Sequence, residues 1–113
     1  MNLKDIVEKL GLEVVSGDID REVSGGYSSD LLSDVIANAQ EKNIWITLQI
    51  HINIVAVANL QELACIILIN GRQPEEATLI KAKKENIPIL LTDLSTFEIV
   101  GKLYEMGIRG NKG

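Results

Sequence analysis

Polar residues suited to ligand binding follow three apolar segments of this sequence. Asparagine, glutamine, histidine and threonine offer hydrogen bonds, and arginine offers a planar cationic fork that fits phosphate or carboxylate. The set is Gln49, His51, Asn53, Asn70, Gly71, Arg72 and Thr92. These residue types favour a small anionic ligand, and a nucleotide is one example.

The spacing of this set suggests a shared location. If the three apolar segments are parallel strands, their carboxyl ends meet at one edge of the sheet, where ligands bind in such folds. Each segment also leads into a predicted helix, whose free N–H groups attract anions. The sequence therefore predicts one cleft, although each residue taken singly also fits a turn, a helix cap or a strand end.

His51, the only histidine, allows more than one interpretation. It fits a general base, with Arg72 binding an anion, or a surface or dimer-contact residue. Neither a cysteine nor a carboxylate lies three or four residues after it, so we predict no metal site. The sequence lacks the phosphate-loop, dinucleotide-binding and serine-hydrolase glycine motifs, and we predict no catalytic residue and no cofactor.

The elements that must position these residues follow from apolar periodicity. Strand and helix alternate from residue 44 onward, which predicts βαβ crossovers and a mostly parallel sheet covered by helices. The expected fold class is α/β, a three-layer sandwich. The predicted elements are a helix at 2–10, strands at 12–16 and 21–24, a helix from Ser28, a strand from Ile44 to about Gln49, a helix at 53–62, a strand at 65–69, a helix from Pro74, a strand at 87–91 and a helix from Ser95 to Gly107.

The positions of large apolar residues give two further expectations. In the last helix, Phe97, Val100 and Tyr104 are predicted to face the core. Trp45 points away from the side of Ile44 and Ile46, because side chains alternate along a strand. Its covering is predicted to be either a second copy of the chain or the N-terminal helix.

Composition restricts the class of protein. The 113 residues fit a single domain over 1–113, with a core at about 12–107 and a loose polar tail at 108–113. A net charge of -5 argues against sequence-independent binding of nucleic acid or anionic membranes. The single cysteine, the lack of a signal peptide and the lack of a membrane-length apolar run favour the cytoplasm.

The pattern and order of these segments resemble the DRTGG domain family over roughly residues 20–107. The segments that carry the resemblance are Val23-Ser24-Gly25-Gly26-Tyr27, Asp30-Leu31-Leu32, Ile44-Trp45-Ile46-Thr47, Cys65 to Ile69 with Asn70-Gly71 and Pro74, Ile87-Pro88-Ile89-Leu90 with Thr92, and Thr96-Phe97-Glu98. In register, the Asp-Arg of the family signature falls on Gln49 to Asn53, and its Thr-Gly-Gly falls on Ile69-Asn70-Gly71. Most of the signature is thus replaced.

The resemblance implies a layered α/β fold, a dimerising or sensing role and no catalytic activity. Such domains are accessory modules of phosphate acetyltransferases and of CBS-containing inorganic pyrophosphatases, and are related in fold to the N-terminal domain of HPr kinase. The leading hypothesis is a stand-alone regulatory module that dimerises and binds a small anion such as an adenine nucleotide. The alternatives are a small enzyme using His51 and Arg72, or a pure interaction subunit of a larger enzyme.

Overall fold

The computed structural model describes residues 1–111, which form a five-stranded sheet covered by helices. The strand order is β1-β5-β4-β3-β2. Strands β2 to β5 are mutually parallel, and β1 joins the opposite edge antiparallel to β5. The elements are α1 (Leu3–Leu10), β1 (Glu13–Ser16), β2 (Gly25–Ser28), α2 (Leu32–Asn38), β3 (Asn43–Thr47), α3 (Asn53–Leu60), β4 (Cys65–Leu68), α4 (Glu76–Glu85), β5 (Ile89–Leu91) and α5 (Thr96–Glu105).

Helices α1 and α5 cover one face of the sheet. Leu3 and Ile6 of α1 and Ile99 and Leu103 of α5 are buried in a core cluster with Ile46 of β3. The side chain of Asn2 caps α1 by accepting from Lys4 N, and Gly11 ends the helix with a φ of 62°, a left-handed conformation that suits glycine. The predicted limits of this helix are therefore confirmed.

Helices α2, α3 and α4 cover the other face. Val35 of α2, Ile54 of α3 and Ala82 of α4 are buried in a second cluster, together with Trp45 and Ile66 of the sheet. The three-layer α/β sandwich with βαβ crossovers and a mostly parallel sheet is confirmed.

Trp45 is covered by neither of its predicted partners. Its side chain has no exposed surface and packs in the cluster beneath α2 and α3, opposite the face that carries α1. Its indole Nε1 donates to Ser29 O at 2.9 Å, so burial leaves no unpaired donor.

The prediction that Phe97, Val100 and Tyr104 face the core is wrong. Ile99 and Leu103 are the buried residues of α5, whereas Phe97 is 86% exposed and Tyr104 is 54% exposed. Both sets are apolar and both follow helical spacing, so the pattern within the helix did not decide which side would meet the sheet.

Strand β2 lies four residues later than the predicted second strand at 21–24. The segment Gly25–Ser28 pairs in parallel with β3, where Gly26 lies beside Ile44. A Cβ on Gly25 would lie 2.7 Å from Arg109 O, so the glycine permits close approach of another backbone segment. Because β2 extends to Ser28, α2 starts at Leu32 rather than at Ser28.

Residues 108–111 pack along the outer edge of β2. Ile108 is buried, and Gly26 N donates to Arg109 O at 3.0 Å. Asn111 Nδ2 donates to Oδ1 of the buried Asn43 at 2.8 Å. These contacts satisfy part of an edge that would otherwise be open. The last two residues of the expected loose tail, 112 and 113, lie outside the described residues.

Within residues 1–111, none of the helices has the length and apolar character needed to cross a membrane.

Candidate functional site

Asp30 joins the carboxyl ends of β2 and β3. Its Oδ1 accepts from Thr47 Oγ1 at 2.9 Å and from Leu48 N at 2.7 Å. Gln49 completes the junction, because its Nε2 donates to Asp30 O at 2.9 Å. Gln49 therefore lies at the predicted sheet edge, and its side-chain amide donates to the protein itself.

His51 is paired with a carboxylate at the same edge. Its Nδ1 lies 3.0 Å from Glu75 Oε1, and both side chains are well exposed. The backbone beneath them is fixed, because Ile50 O accepts from Glu75 N at 3.2 Å and from the buried Thr78 Oγ1 at 2.7 Å. The loop after β3 is thus held against the start of α4.

The loops that follow β4 and β5 contact each other directly. Asn70 N donates to Leu94 O at 2.9 Å, and Gly71 N donates to Thr92 O at 3.0 Å. Asn70 and Gly71 both adopt positive φ, 56° and 68°. Asparagine and glycine tolerate this conformation best, which explains the turn at this position.

A cavity of about 420 Å³ lies beside these two loops. Gly71 and Thr92, two residues of the predicted set, line it. The other lining residues are Leu10, Gly11, Glu13, Gln73, Leu91, Asp93, Leu94 and Lys102. The volume suits a small ligand. The walls offer a hydroxyl, an amide, two carboxylates and one ammonium group.

The remaining predicted residues lie at the surface of this edge. Asn53 is exposed at the first position of α3, and its expected capping role is wrong, because Ile52 is the capping residue and makes no side-chain cap. Arg72 is exposed in the loop after β4. Among residues 1–111 its guanidinium forms no ion pair. The structure thus places the set along one edge, and Gly71 and Thr92 share the cavity.

Residues 1–111 contain no cluster of histidine, cysteine and carboxylate side chains arranged to hold a metal ion. Burial raises the pKa of the Cys65 thiol well above its usual range, so this side chain is not poised as a nucleophile.

Three residues of this edge escaped prediction from the sequence. In the sequence, Asp30 and Glu75 lie near the starts of predicted helices, and Lys102 lies within the last predicted helix. The sequence positions of Asp30 and Glu75 could have placed them at this edge. Asp30 follows a strand and Glu75 precedes a helix, and both lie where the strand ends meet. Lys102 carried none, since its position depends on how α5 crosses the sheet.

Comparison with known proteins gives a structural relative. No protein-family model matches the chain, and no curated protein matches it. The fold is similar to the crystal structure of the CBS and DRTGG domains of the regulatory region of Clostridium perfringens pyrophosphatase complexed with its activator, diadenosine tetraphosphate. The TM-score is 0.72 at 17% sequence identity, over 98% of this chain and 51% of that chain. This chain therefore spans about half of that chain and shares the fold of the part that it covers.

Proposed function

We propose that this chain is a non-enzymatic regulatory module of the DRTGG type that binds a small anionic ligand, such as an adenine nucleotide, at the carboxyl edge of its sheet. The similar structure is described as a regulatory region and binds a dinucleotide activator. The sequence resemblance to the DRTGG family points in the same direction. The proposal includes the homodimer and the cytoplasmic location expected from the sequence.

The cavity at the edge is the observation that carries this proposal. Gly71 and Thr92 come from the loops that follow β4 and β5, and they meet there through the hydrogen bond from Gly71 N to Thr92 O. Lys102 supplies a cation to a wall that also carries the carboxylates of Glu13 and Asp93. Arg72, in the loop that contains Gly71, adds a second cation nearby and forms no ion pair within residues 1–111. A cation and polar loop groups at a strand-end cleft are what a phosphate-bearing ligand requires.

Titration of the chain with AMP, ADP and ATP, followed by amide NMR, tests the proposal. We expect saturable shifts of Gly71, Gln73 and Asp93, which line or border the cavity. Lys102→Ala should weaken binding about tenfold, the loss expected when one charged hydrogen bond disappears. Arg72→Ala should weaken it if the phosphates extend beyond the cavity.

Lys83→Ala is the matched control. Lys83 is exposed in the last turn of α4, at the end of the helix opposite the strand-end cleft, so its removal should leave binding unchanged. Equal losses for Lys83→Ala and Lys102→Ala would indicate unspecific attraction of anions. Absence of saturable shifts with all three nucleotides at millimolar concentration would contradict the ligand assignment.

A specific observation favours one second candidate, a small hydrolytic or phosphotransfer enzyme. The carboxylate of Glu75 on His51 Nδ1 is the arrangement that orients an imidazole so that Nε2 can take a proton. In this case turnover in an activity screen should disappear in His51→Ala and fall in Glu75→Gln. Activity that persists in His51→Ala would exclude this role for the pair.

The interaction-subunit hypothesis remains as a proposal about partners. A larger enzyme that co-purifies with the chain, with no ligand bound at the cavity, would favour it over the ligand-binding module.

A further inference from the structure

Helix α5 carries an apolar surface that residues 1–111 leave uncovered. We call Phe97, Val100, Gly101 and Tyr104 the α5 stripe, because helical spacing places them on one side of the helix. All four are exposed, and Phe97 is among the most exposed large apolar residues of the chain. Ile99 and Leu103 hold α5 on the sheet from the other side, so the stripe is not needed to anchor the helix.

The α5 stripe borders two cavities that share Val100 and Tyr104. One, of about 240 Å³, lies between α5 and strand β2, where Gly26, Ile46 and Ile108 also line it. The other, of about 450 Å³, follows α5 along Phe97 and Gly101. The two cavities are therefore neighbours along α5, and the 86% exposed Phe97 lines the second of them. An apolar cavity of about 150 Å³ accepts benzene, so the first cavity has room for an aromatic ring.

Gly101 is unusual at this position. Glycine destabilises a helix interior relative to alanine, and it is normally retained where a backbone or ligand comes close. A Cβ on Gly101 would meet no atom of residues 1–111 within 4 Å. The fold of one chain therefore gives no reason for glycine here, whereas a second surface packed against the helix would.

We infer that the α5 stripe is the contact surface between two copies of this chain, with the two α5 helices antiparallel across a twofold axis between Val100 and Gly101. This inference rests on the homodimer of the proposed function and names its surface. A twofold contact must be self-complementary, because the same patch serves both subunits. The α5 stripe meets this condition through shape and through charge.

The complementarity of shape follows from the order of the stripe. The twofold axis places Phe97 of each copy opposite Tyr104 of the partner subunit. Tyr104 and Val100 form a wall of the 240 Å³ cavity, so each Phe97 ring reaches the mouth of a cavity in the other copy. Aromatic anchors that enter apolar pockets dominate the energy of most protein interfaces.

The complementarity of charge lies beside the stripe. Glu98 and Lys102 are exposed on the same flank of α5. The same axis brings Glu98 of each copy near Lys102 of the partner subunit, which places opposite charges together at the rim. Arg109 is stacked 3.8 Å over the ring of Tyr104 and also lines the 240 Å³ cavity, so its cation lies beside the aromatic ring at this end of the stripe.

Sedimentation of the full chain over a wide concentration range tests the inference. The wild-type chain should form a dimer, and Phe97→Asp should raise the dimer dissociation constant more than tenfold, because it replaces an aromatic anchor of the contact with a buried charge. Leu60→Asp is the matched control, since Leu60 is 66% exposed on α3, away from the stripe. It should leave the dimer intact. Thermal melts verify that both variants fold.

Cross-linking tests the position of the axis. In Gly101→Cys, the new thiols of the two copies lie beside the axis, so oxidation should produce a covalent dimer in high yield. The native Cys65 is buried and does not compete. Ala77→Cys, an exposed position on α4, should cross-link only in trace amounts.

Three outcomes would overturn the inference. They are a wild-type chain that stays monomeric at all concentrations, a dimer that survives Phe97→Asp, and equal cross-linking of the two cysteine variants. The first leaves the α5 stripe to a different protein. The nucleotide titration, repeated on the Phe97→Asp chain, separates this failure from failure of the proposed function. The cavity lined by Gly71 and Thr92 includes none of the four stripe residues, and the one residue it shares with the rim of the contact, Lys102, is unchanged in Phe97→Asp.

Discussion

At the scale of single residues, Asp30 shows how a surface side chain can determine the shape of a sheet edge. Its carboxylate accepts from the hydroxyl of Thr47, which is only 1% exposed, and from Leu48 N. Removing the carboxylate leaves a buried hydroxyl and a backbone N–H without their acceptor. An unsatisfied buried group costs about 1–3 kcal/mol.

Asp30→Ala should therefore lower the free energy of unfolding by about 1–3 kcal/mol. Urea denaturation measures this change. Glu8→Ala is the control, because Glu8 is an exposed acid of α1, and it should change stability by less than about 0.5 kcal/mol. Equal stability of the two variants would show that Asp30 does not support the junction.

Asp34 gives a second residue-scale prediction, on pH. Hydrogen bonds from the side chains of Ser29, Tyr27 and Asn38 lower the pKa of the Asp34 carboxyl below its ordinary value of 3.8. The hydroxyl of Tyr27 lies 2.9 Å from the carboxylate, and this hydrogen bond raises the pKa of Tyr27 above 10.0.

A lowered pKa means that the folded state favours the ionised form of Asp34. The resulting stability is present above the unfolded value of 3.8 and is lost as the pH falls through the lower folded value. Melting temperatures of wild type and Asp34→Asn should differ at neutral pH, and the difference should shrink below pH 3.8. Asp93→Asn serves as the control. A difference that stays constant down to acidic pH would contradict this account.

At the scale of elements, the junction of β1 and β5 depends on a glycine. Gly17 has a φ of 80°, and a Cβ there would lie 2.4 Å from Pro88 N. The register of the β1–β5 pairing shifts between Val14 and Ser16. The Oγ of Ser16 bridges the two strands there, because it donates to Ile87 O at 2.8 Å and accepts from Ile89 N at 3.0 Å. The strand therefore approaches Pro88 too closely for any side chain at position 17.

Gly17→Ala should destabilise the chain by about 3 kcal/mol, from left-handed strain and from the clash with the backbone of Pro88. Gly11→Ala separates the two causes. Gly11 has a φ of 62°, but a Cβ there would meet nothing within 4 Å, so this variant should lose only about 1–2 kcal/mol. If chemical denaturation gives equal losses for the two variants, the close approach of Gly17 to Pro88 carries no energetic cost.

At the scale of the whole molecule, the C-terminal residues 108–111 complete the sheet. They cover the edge of β2 through Arg109 O, bury Ile108 and bond the buried Asn43 through Asn111. Open sheet edges promote pairing between chains. In the described sheet, this segment therefore covers the free edge of β2, the parallel strand at one end. At the other end, β1 covers the edge of β5.

A chain that ends at Gly107 should melt about 10 °C lower than the full chain, since the loss of Ile108 burial and edge hydrogen bonds amounts to about 2 kcal/mol. Light scattering should also show aggregation of the shortened chain. A chain ending at Asn111 keeps all the described contacts and should match the full chain. An unchanged melting temperature for the chain ending at Gly107 would show that the edge is stable without its cover.

The sequence by itself determined the fold class and most of the order of helices and strands. Apolar periodicity acts through local geometry, so it predicted the helices, and the alternation after residue 44 predicted the parallel sheet. The structure shows caps at Asn2, Gly11 and Ser95, which also act locally. The strand-end positions of the polar set followed from the same alternation. These inferences need only neighbours along the chain and the general rules for connecting strands.

Only the tertiary structure decided which surfaces meet. Phe97, Val100 and Tyr104 form as good an apolar set as Ile99 and Leu103, and the choice between them depends on how α5 crosses the sheet. Two side-chain contacts at the sheet edge join residues that are far apart in sequence. They are the pair of His51 and Glu75 and the hydrogen bond from Thr47 to Asp30. Contacts between residues distant in sequence depend on packing of the whole core, and a pattern within one element carries no record of them.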